Sequence, residues 1–214
     1  MRAEPIINRK LRSDFLKSLK SHSHRAYTLT MMQLASGLRI GDLLCLEWKQ
    51  LSFEDDAAYL EEIVERKRKK VQVGILFTGE SFSALKELKK MYPGTEYVFG
   101  VIRKDVEKPI SWQGIDRFIK RAKSEVGIEF AVSSHTNRKV VSFECWLAGM
   151  DEKDIQIAYR HSNVEQTRFY MSNQKYHRQA MARSVSIGID GVQAHLITAR
   201  DLARKDAEAD RKMV

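Results

Sequence analysis

Cysteine is scarce: two in 214 residues, Cys45 in LLCLEW and Cys145 in FECWLAG. Each sits among apolar residues and neither belongs to a CxxC or Cys/His metal spacing, so two buried thiols are expected rather than a metal site. His135 lies ten positions before Cys145, which is no catalytic spacing along a helical pattern, and thiol chemistry is a weak alternative. Long apolar runs are also missing. None approaches the roughly 20 residues that cross a bilayer, and the start MRAEPIINRKLRSD has no apolar stretch of the kind that leads a secreted chain. A soluble, unexported, cytoplasmic protein that does not span a membrane is therefore expected. There is no internal repeat and no low-complexity linker. Acidic charge is outnumbered: 28 Asp and Glu face 37 Lys and Arg, a formal charge of +9. That balance suits a partner that is a polyanion, nucleic acid first and an acidic membrane surface second.

What is present is mostly helical spacing. Apolar positions three and four apart predict helices over 13–21, with Ser13 as cap, and over 24–36, ended by Gly37. Leu43, Leu44, Leu46 and Trp48 read as a third, short helix, so Leu38-Arg39 falls in the junction before it. From Leu51 to Phe77 the pattern changes to β-branched and aromatic clusters. It predicts a short strand, a turn at Glu54-Asp55-Asp56, and a two-stranded hairpin whose tip is Lys67-Arg68-Lys69-Lys70. Helix spacing returns over 80–91 and stops at Pro93-Gly94, and a loop then leads to Ser111, which caps WQGIDRFIKRAKSEVG. A further helix is expected over 135–147, and Asp151 caps EKDIQIAYR. About 40 residues beyond Tyr170 form a charged segment that reads as a helical tail. The domains expected are 1–172, with its core from about 13, and the tail 173–214.

Six polar residues stand out together: Arg39 in LASGLRIGDLLCLEW, Lys67 in the basic hairpin, His135 and Arg138 in HTNR, and His161 and Tyr170 in RHSNVEQTRFY. A phenol has an unperturbed pKa near ~10 and is a poor nucleophile at neutral pH. To attack a phosphodiester it needs a base, positive charge on the phosphate and an acid for the leaving oxygen. Those types are all present, and without metal. Each residue alone has an ordinary reading: a solvated cation, a satisfied helix-end histidine, a half-buried tyrosine. Order and spacing tell against six such coincidences.

The dispersed set over roughly 25–172 resembles the tyrosine recombinase family, the phage integrases and site-specific recombinases. The resemblance implies an α+β, mainly α, integrase-like catalytic domain, a helical bundle with a small antiparallel three-stranded sheet on one side. It implies that Arg39 and Arg138 grip the scissile phosphate, which suits guanidinium because its planar fork donates two parallel hydrogen bonds and stays charged. His135 resembles the base or proton relay, His161 the histidine that hydrogen-bonds the phosphate, and Lys67 the general acid for the leaving 5′ oxygen. Arg68, Lys69 and Lys70 crowd the same turn. Tyr170 is then the nucleophile that joins the 3′ phosphate, conserving the bond energy so that neither ATP nor any other cofactor is needed. Tyr159 and Tyr176 share its chemistry but fall at the wrong positions and read as structural.

The implied partner is double-stranded DNA and no membrane, in a nucleoid-associated location, with a homotetramer assembled on the DNA and accessory DNA-bending proteins beside it. The implied activity is site-specific recombination: integration, excision or inversion. Candidate DNA contacts are Arg68, Lys69 and Lys70 at the hairpin tip, Arg117, Lys120, Arg121 and Lys123 on the helix after Ser111, and Arg160. The chain departs from the family pattern at Arg160, Lys139, Gly41 and Ile75, none of which removes a catalytic group. Many members carry an N-terminal helical domain that closes over the DNA, for which there is no room before residue 13; a catalytic fragment and a short single-domain member remain alternatives. Two rival functions stand beside recombination. One is a type IB topoisomerase or telomere resolvase, and the other is an inactive DNA-binding accessory protein of the same fold.

Overall fold

A computed structural model describes residues 3–64, 71–159, 161–171, 185–188, 191–194 and 204–205. It divides into two compact units, one made of residues 1–4 and 14–138, the other of residues 5–13 and 139–214. Among the described residues no helix is long and apolar enough to cross a membrane.

The first unit is built on α2 (His24–Ser36), which is buried along most of its length at Ala26, Leu29, Met31 and Met32. Its bounds and its end at Gly37 are those expected, and the structure adds Ser23 as the cap at its start. Ser23 accepts from the Ala26 N–H, and Gly37 closes the helix in the left-handed region at φ 63, where a residue without Cβ is favoured. Helix α4 (Gly79–Met91) buries Leu85 and Leu88, and Thr28 Oγ1 of α2 donates to the Ala84 carbonyl at 3.3 Å. Helix α5 (Trp112–Glu125) is capped by Ser111 and buries Ile115, Ile119 and Ala122 as one stripe, the three-and-four spacing of an amphipathic helix.

Strands β1 (Leu51–Phe53), β2 (Ala57–Val64) and β3 (Val71–Thr78) form the antiparallel sheet β1-β2-β3. The register runs from Leu51 opposite Leu60 to Val64 opposite Val71. Leu60 and Phe77, on one face, are fully enclosed while Leu76, on the other, is exposed, so one face packs on the helices. The hairpin tip, with Lys67, Arg68, Lys69 and Lys70, lies outside the described residues.

Several expectations are corrected. Helix α1 (Arg9–His22) starts before Ser13 because Asn8 is the cap, its Oδ1 accepting from the Leu11 N–H at 2.8 Å. The third helix, α3, is only Ile40–Leu43. Its expected continuation is drawn into an isolated bridge between Glu47 and Tyr97 and a single 3-10 turn at Trp48–Gln50. The loop before Ser111 contains a hairpin, β4 (Gly100–Arg103) and β5 (Val106–Pro109). Its turn residues Lys104 and Asp105 take φ 50 and 60, the twist a two-residue hairpin turn requires. Cys45 and Cys145 are half-buried rather than fully buried, and burial raises the Cys145 thiol pKa.

The second unit gathers α6 (Thr136–Ala148) from Lys139 onward, α7 (Glu152–Tyr159) and α8 (Val164–Met171). Its core is Phe143, Trp146, Leu147, Ile155, Tyr159, Tyr170 and Met171, with Ile7 and Phe169 packed against it. Asp151 caps α7, its Oδ1 accepting from the Lys153 N–H at 2.8 Å. Glu144 joins Arg9 at 2.9 Å and Arg12 at 2.8 Å. Burial pushes the Glu144 carboxyl up, but the hydrogen bonds and charges of the two guanidiniums outweigh it and hold the group below the usual carboxylate range. Beyond Met171 the described residues include two paired strands, β6 (Val185–Gly188) and β7 (Gly191–Ala194), where helix was expected.

Candidate active site and nucleic-acid interface

In the first unit the chain leaves α2 through Gly37, whose N–H donates to the Gln33 carbonyl at 2.8 Å. Leu38 is buried and anchors the turn. Arg39 follows in extended conformation, φ −70 and ψ 139, at the N-cap of α3. Its carbonyl accepts from the N–H groups of Asp42 at 3.0 Å and Leu43 at 3.2 Å. The Arg39 backbone is thereby fixed on both sides, while its side chain stays half-buried.

The HTNR segment is held by its own turn. The Ser133 N–H donates to Thr136 Oγ1 at 3.0 Å, the Thr136 N–H returns to the Ser133 carbonyl at 3.0 Å, and the His135 N–H donates to Ser133 Oγ at 3.2 Å. This leaves His135 exposed at the start of α6, with Arg138 one turn inside and buried. Arg138 Nη1 donates to the Gly37 carbonyl. Gln33 adds a second connection, because its Nε2 donates to the carbonyls of Leu38 at 3.1 Å and Ser134 at 3.0 Å. The segments carrying Arg39, His135 and Arg138, about 100 residues apart in the chain, are thus joined.

In the second unit His161 and Tyr170 are brought together. The His161 N–H donates to the Gln156 carbonyl at 3.0 Å, and Asn163 Oδ1 accepts from the Gln166 N–H at 2.8 Å. The chain therefore turns sharply between α7 and α8. His161 Nδ1 lies 3.0 Å from Thr167 Oγ1, one turn before Tyr170 on the same helix. The His161 and Tyr170 rings are 4.7 Å apart between centroids. Tyr170 is 9% exposed, held edge-on by Tyr159 at 6.3 Å and Phe169 at 5.9 Å. Tyr159 itself is buried in the core, as is Tyr170. Arg160 and Tyr176 lie outside the described residues.

The basic residues of α5 divide by face. Arg117 and Lys120 line a cavity of about 1080 Å³ together with His22, Arg25, Arg103 and Lys108. Lys120 also reaches Asp116 at 2.7 Å. Arg25 stacks on Tyr92, its guanidinium carbon 3.4 Å from the ring centroid, and burial lowers its pKa. Arg121 and Lys123 point elsewhere: Arg121 Nε lies 3.4 Å from Glu125, and Lys123 Nζ donates to the Glu129 carbonyl at 3.4 Å. Among the described residues no group of three His, Cys, Asp or Glu side chains could hold a metal ion.

The family model described as the phage integrase family matches residues 9–177. The chain belongs to that family. A relative from Bacillus subtilis (strain 168), "Probable integrase/recombinase YoeC", is 26% identical over 168 residues, covering 78% of this chain and 88% of the relative. Among solved structures, the XerH site-specific recombinase bound to palindromic difH substrate in a post-cleavage complex is similar with a TM-score of 0.66 at 19% identity, over 86% of this chain and 53% of that one. The XerA recombinase gives a TM-score of 0.64 at 19% identity, over 84% of this chain and 66% of that one. A lambda integrase dimer bound to a COC′ core site gives 0.61 at 18% identity, over 80% and 60%. The chain therefore spans between about half and two thirds of those solved chains, and what it shares with them is the fold, mainly helical with a small antiparallel sheet. Two polar residues of this family member escaped the sequence reading. Gln33 is a lone amide in the apolar stripe HRAYTLTMMQLAS, and Thr167 is a small residue at helical spacing between His161 and Tyr170.

Proposed function

We propose that this phage integrase family member is a DNA breaking and rejoining enzyme acting through a covalent 3′-phosphotyrosyl intermediate, and a site-specific recombinase. The Tyr170 oxygen attacks the scissile phosphorus, the phosphorus–oxygen bond to the 5′ carbon breaks, and the phenolic proton passes to His135. The departing 5′ oxygen takes a proton from Lys67. Arg39, Arg138 and His161 hydrogen-bond the non-bridging oxygens, on which charge grows in the transition state. Rejoining is the same exchange reversed by an incoming 5′ hydroxyl, so the phosphodiester bond energy is retained.

The observation that carries this reading is the joining of the Arg39 turn to the His135–Arg138 turn through Gln33 and Gly37. Two guanidiniums and an imidazole held on one backbone network suit a dianionic, phosphorane-like transition state better than they suit a solvated surface. The His161 and Tyr170 rings, 4.7 Å apart between centroids, support Tyr170 as nucleophile. DNA as substrate is supported by the +9 charge, by the basic cavity beside α5 and by the DNA complexes of XerH and lambda integrase. Exchange between two duplexes implies assembly of several copies on DNA, a tetramer in the full reaction.

The test is covalent capture. The full chain is incubated with a random-sequence library of nicked duplexes, and DNA that stays on the protein after denaturation is recovered and sequenced. Recovery of one sequence class, lost in Tyr170→Phe, supports the recombinase. Relaxation of supercoiled plasmid without exchange between two copies of the recovered site would point to a topoisomerase, and retention of DNA with no covalent product would point to an accessory binder.

A further inference from the structure

We propose that Gln33 is a positioning residue of the reaction, a buried amide clamp that sets Arg39, His135 and Arg138 in register; this rests on the reading of the arginine pair as the phosphate site. Gln33 has no exposed surface and lies on α2 among Leu29, Met31 and Met32. A lone amide there is costly unless every polar atom finds a partner. Each does. Nε2 uses both hydrogens, on the carbonyls of Leu38 at 3.1 Å and Ser134 at 3.0 Å, and Oε1 accepts from Asn137 Nδ2 at 3.0 Å.

The identity of those partners makes this more than packing. The Leu38 carbonyl belongs to the peptide bond that leads into Arg39, and the Ser134 carbonyl to the one that leads into His135. Asn137 directly precedes Arg138, is itself buried, and spends its amide on Gln33. One side chain therefore controls the peptide planes or neighbours of all three. Its orientation is unambiguous, because turning the amide over would set Oε1 against two carbonyl oxygens and the NH₂ against another NH₂. A fully satisfied buried network of this kind rigidifies its members. Loss of it would let the two turns drift by a fraction of an ångström, which is damaging for paired phosphate ligands that must act together.

The probe is orthovanadate, which adopts the five-coordinate geometry of a phosphorane and needs no target sequence. Its affinity for the full chain is measured by vanadium-51 NMR for wild type, Gln33→Met, Asn137→Leu, Arg39→Ala and Leu88→Ala, each checked for helical content by circular dichroism. Leu88 is buried on α4 and has no part in the site, so its truncation reports general loosening. The expected result is vanadate binding roughly tenfold to a hundredfold weaker in Gln33→Met, a smaller loss in Asn137→Leu, which removes one of the three bonds, and no loss in Leu88→Ala. Wild type binding no tighter than Arg39→Ala would overturn the phosphate-site reading itself. Wild type binding tightly with Gln33→Met unchanged would overturn the clamp alone, as would an equal loss in Leu88→Ala. If Gln33→Met does not fold, Asn137→Leu decides: unchanged affinity there overturns the clamp.

Discussion

Replacing Thr167 by valine removes one hydroxyl and little volume from a residue with no exposed surface. In the folded chain that hydroxyl lies 3.0 Å from His161 Nδ1, and His161 is only 6% exposed, so water has poor access to replace it. A buried polar atom that loses its partner costs about 1–3 kcal/mol. If the whole of that cost falls on the ring orientation required in the transition state, cleavage slows by roughly 5- to 150-fold, since ~1.4 kcal/mol is a factor of ten. Whatever part of that cost is already present in the folded ground state lowers the melting temperature instead, by about 2–10 °C if it is the whole. The assay is the single-turnover rate of covalent complex formation on a captured duplex at saturating enzyme, with Thr167→Ser as companion because it keeps the hydroxyl. Serine is expected within about threefold of wild type on that argument. A valine variant that reacts at the wild-type rate, or a serine variant as slow as valine, would refute the idea that Thr167 orients His161.

The division of α5 by face predicts a difference in salt dependence. The pair Arg117→Ala with Lys120→Ala should reduce the slope of log affinity against log salt by roughly 2, about one for each lost phosphate contact, whereas Arg121→Ala with Lys123→Ala should leave it unchanged; equal effects would contradict the cavity as a phosphate seat. Glu144→Gln should destabilise the protein by roughly 1–3 kcal/mol, because two guanidiniums lose a partly buried anionic partner, and urea denaturation showing no shift of the midpoint would refute this. Glu125 is held at about 2 by hydrogen bonds from Ser18 and then His22. Its folded pKa lies below the unfolded value, so the stability it contributes is present above the unfolded pKa, near ~4.3, and is lost as pH falls from there toward 2. Melting temperatures of Glu125→Gln and wild type should converge on acidification through that window; a constant gap would contradict it.

Much of the fold is legible where the signal is local. Gly37, Ser111 and Asp151 mark helix ends because a side-chain acceptor or a missing Cβ acts within one turn. The three-stranded sheet follows from clusters of β-branched residues around an acidic turn. Legibility fails where distant chain decides. The continuation of α3 through Leu46 and Trp48 is amphipathic on paper, but Glu47 pairs with Tyr97, about 50 residues away, and the chain is pulled out of helix. The β4–β5 turn hides because its left-handed positions are Lys104 and Asp105 rather than glycine or asparagine. Arg39, His135, Arg138, His161 and Tyr170 stand out in the sequence because their order resembles a family pattern, whereas the contacts of Gln33 and Thr167 exist only once folding brings their partners to them. A polar residue within an apolar stripe is ambiguous until its partners are known.

Peptide mapping by mass spectrometry of the covalent complex, after nuclease trimming, tests the central chemistry most directly. A single nucleotide attached through its 3′ phosphate to the peptide containing Tyr170, with a 5′ hydroxyl on the released strand, is the expected result. The nucleotide on Tyr159 or Tyr176, attachment through a 5′ phosphate, or cleavage with no attached nucleotide would contradict it.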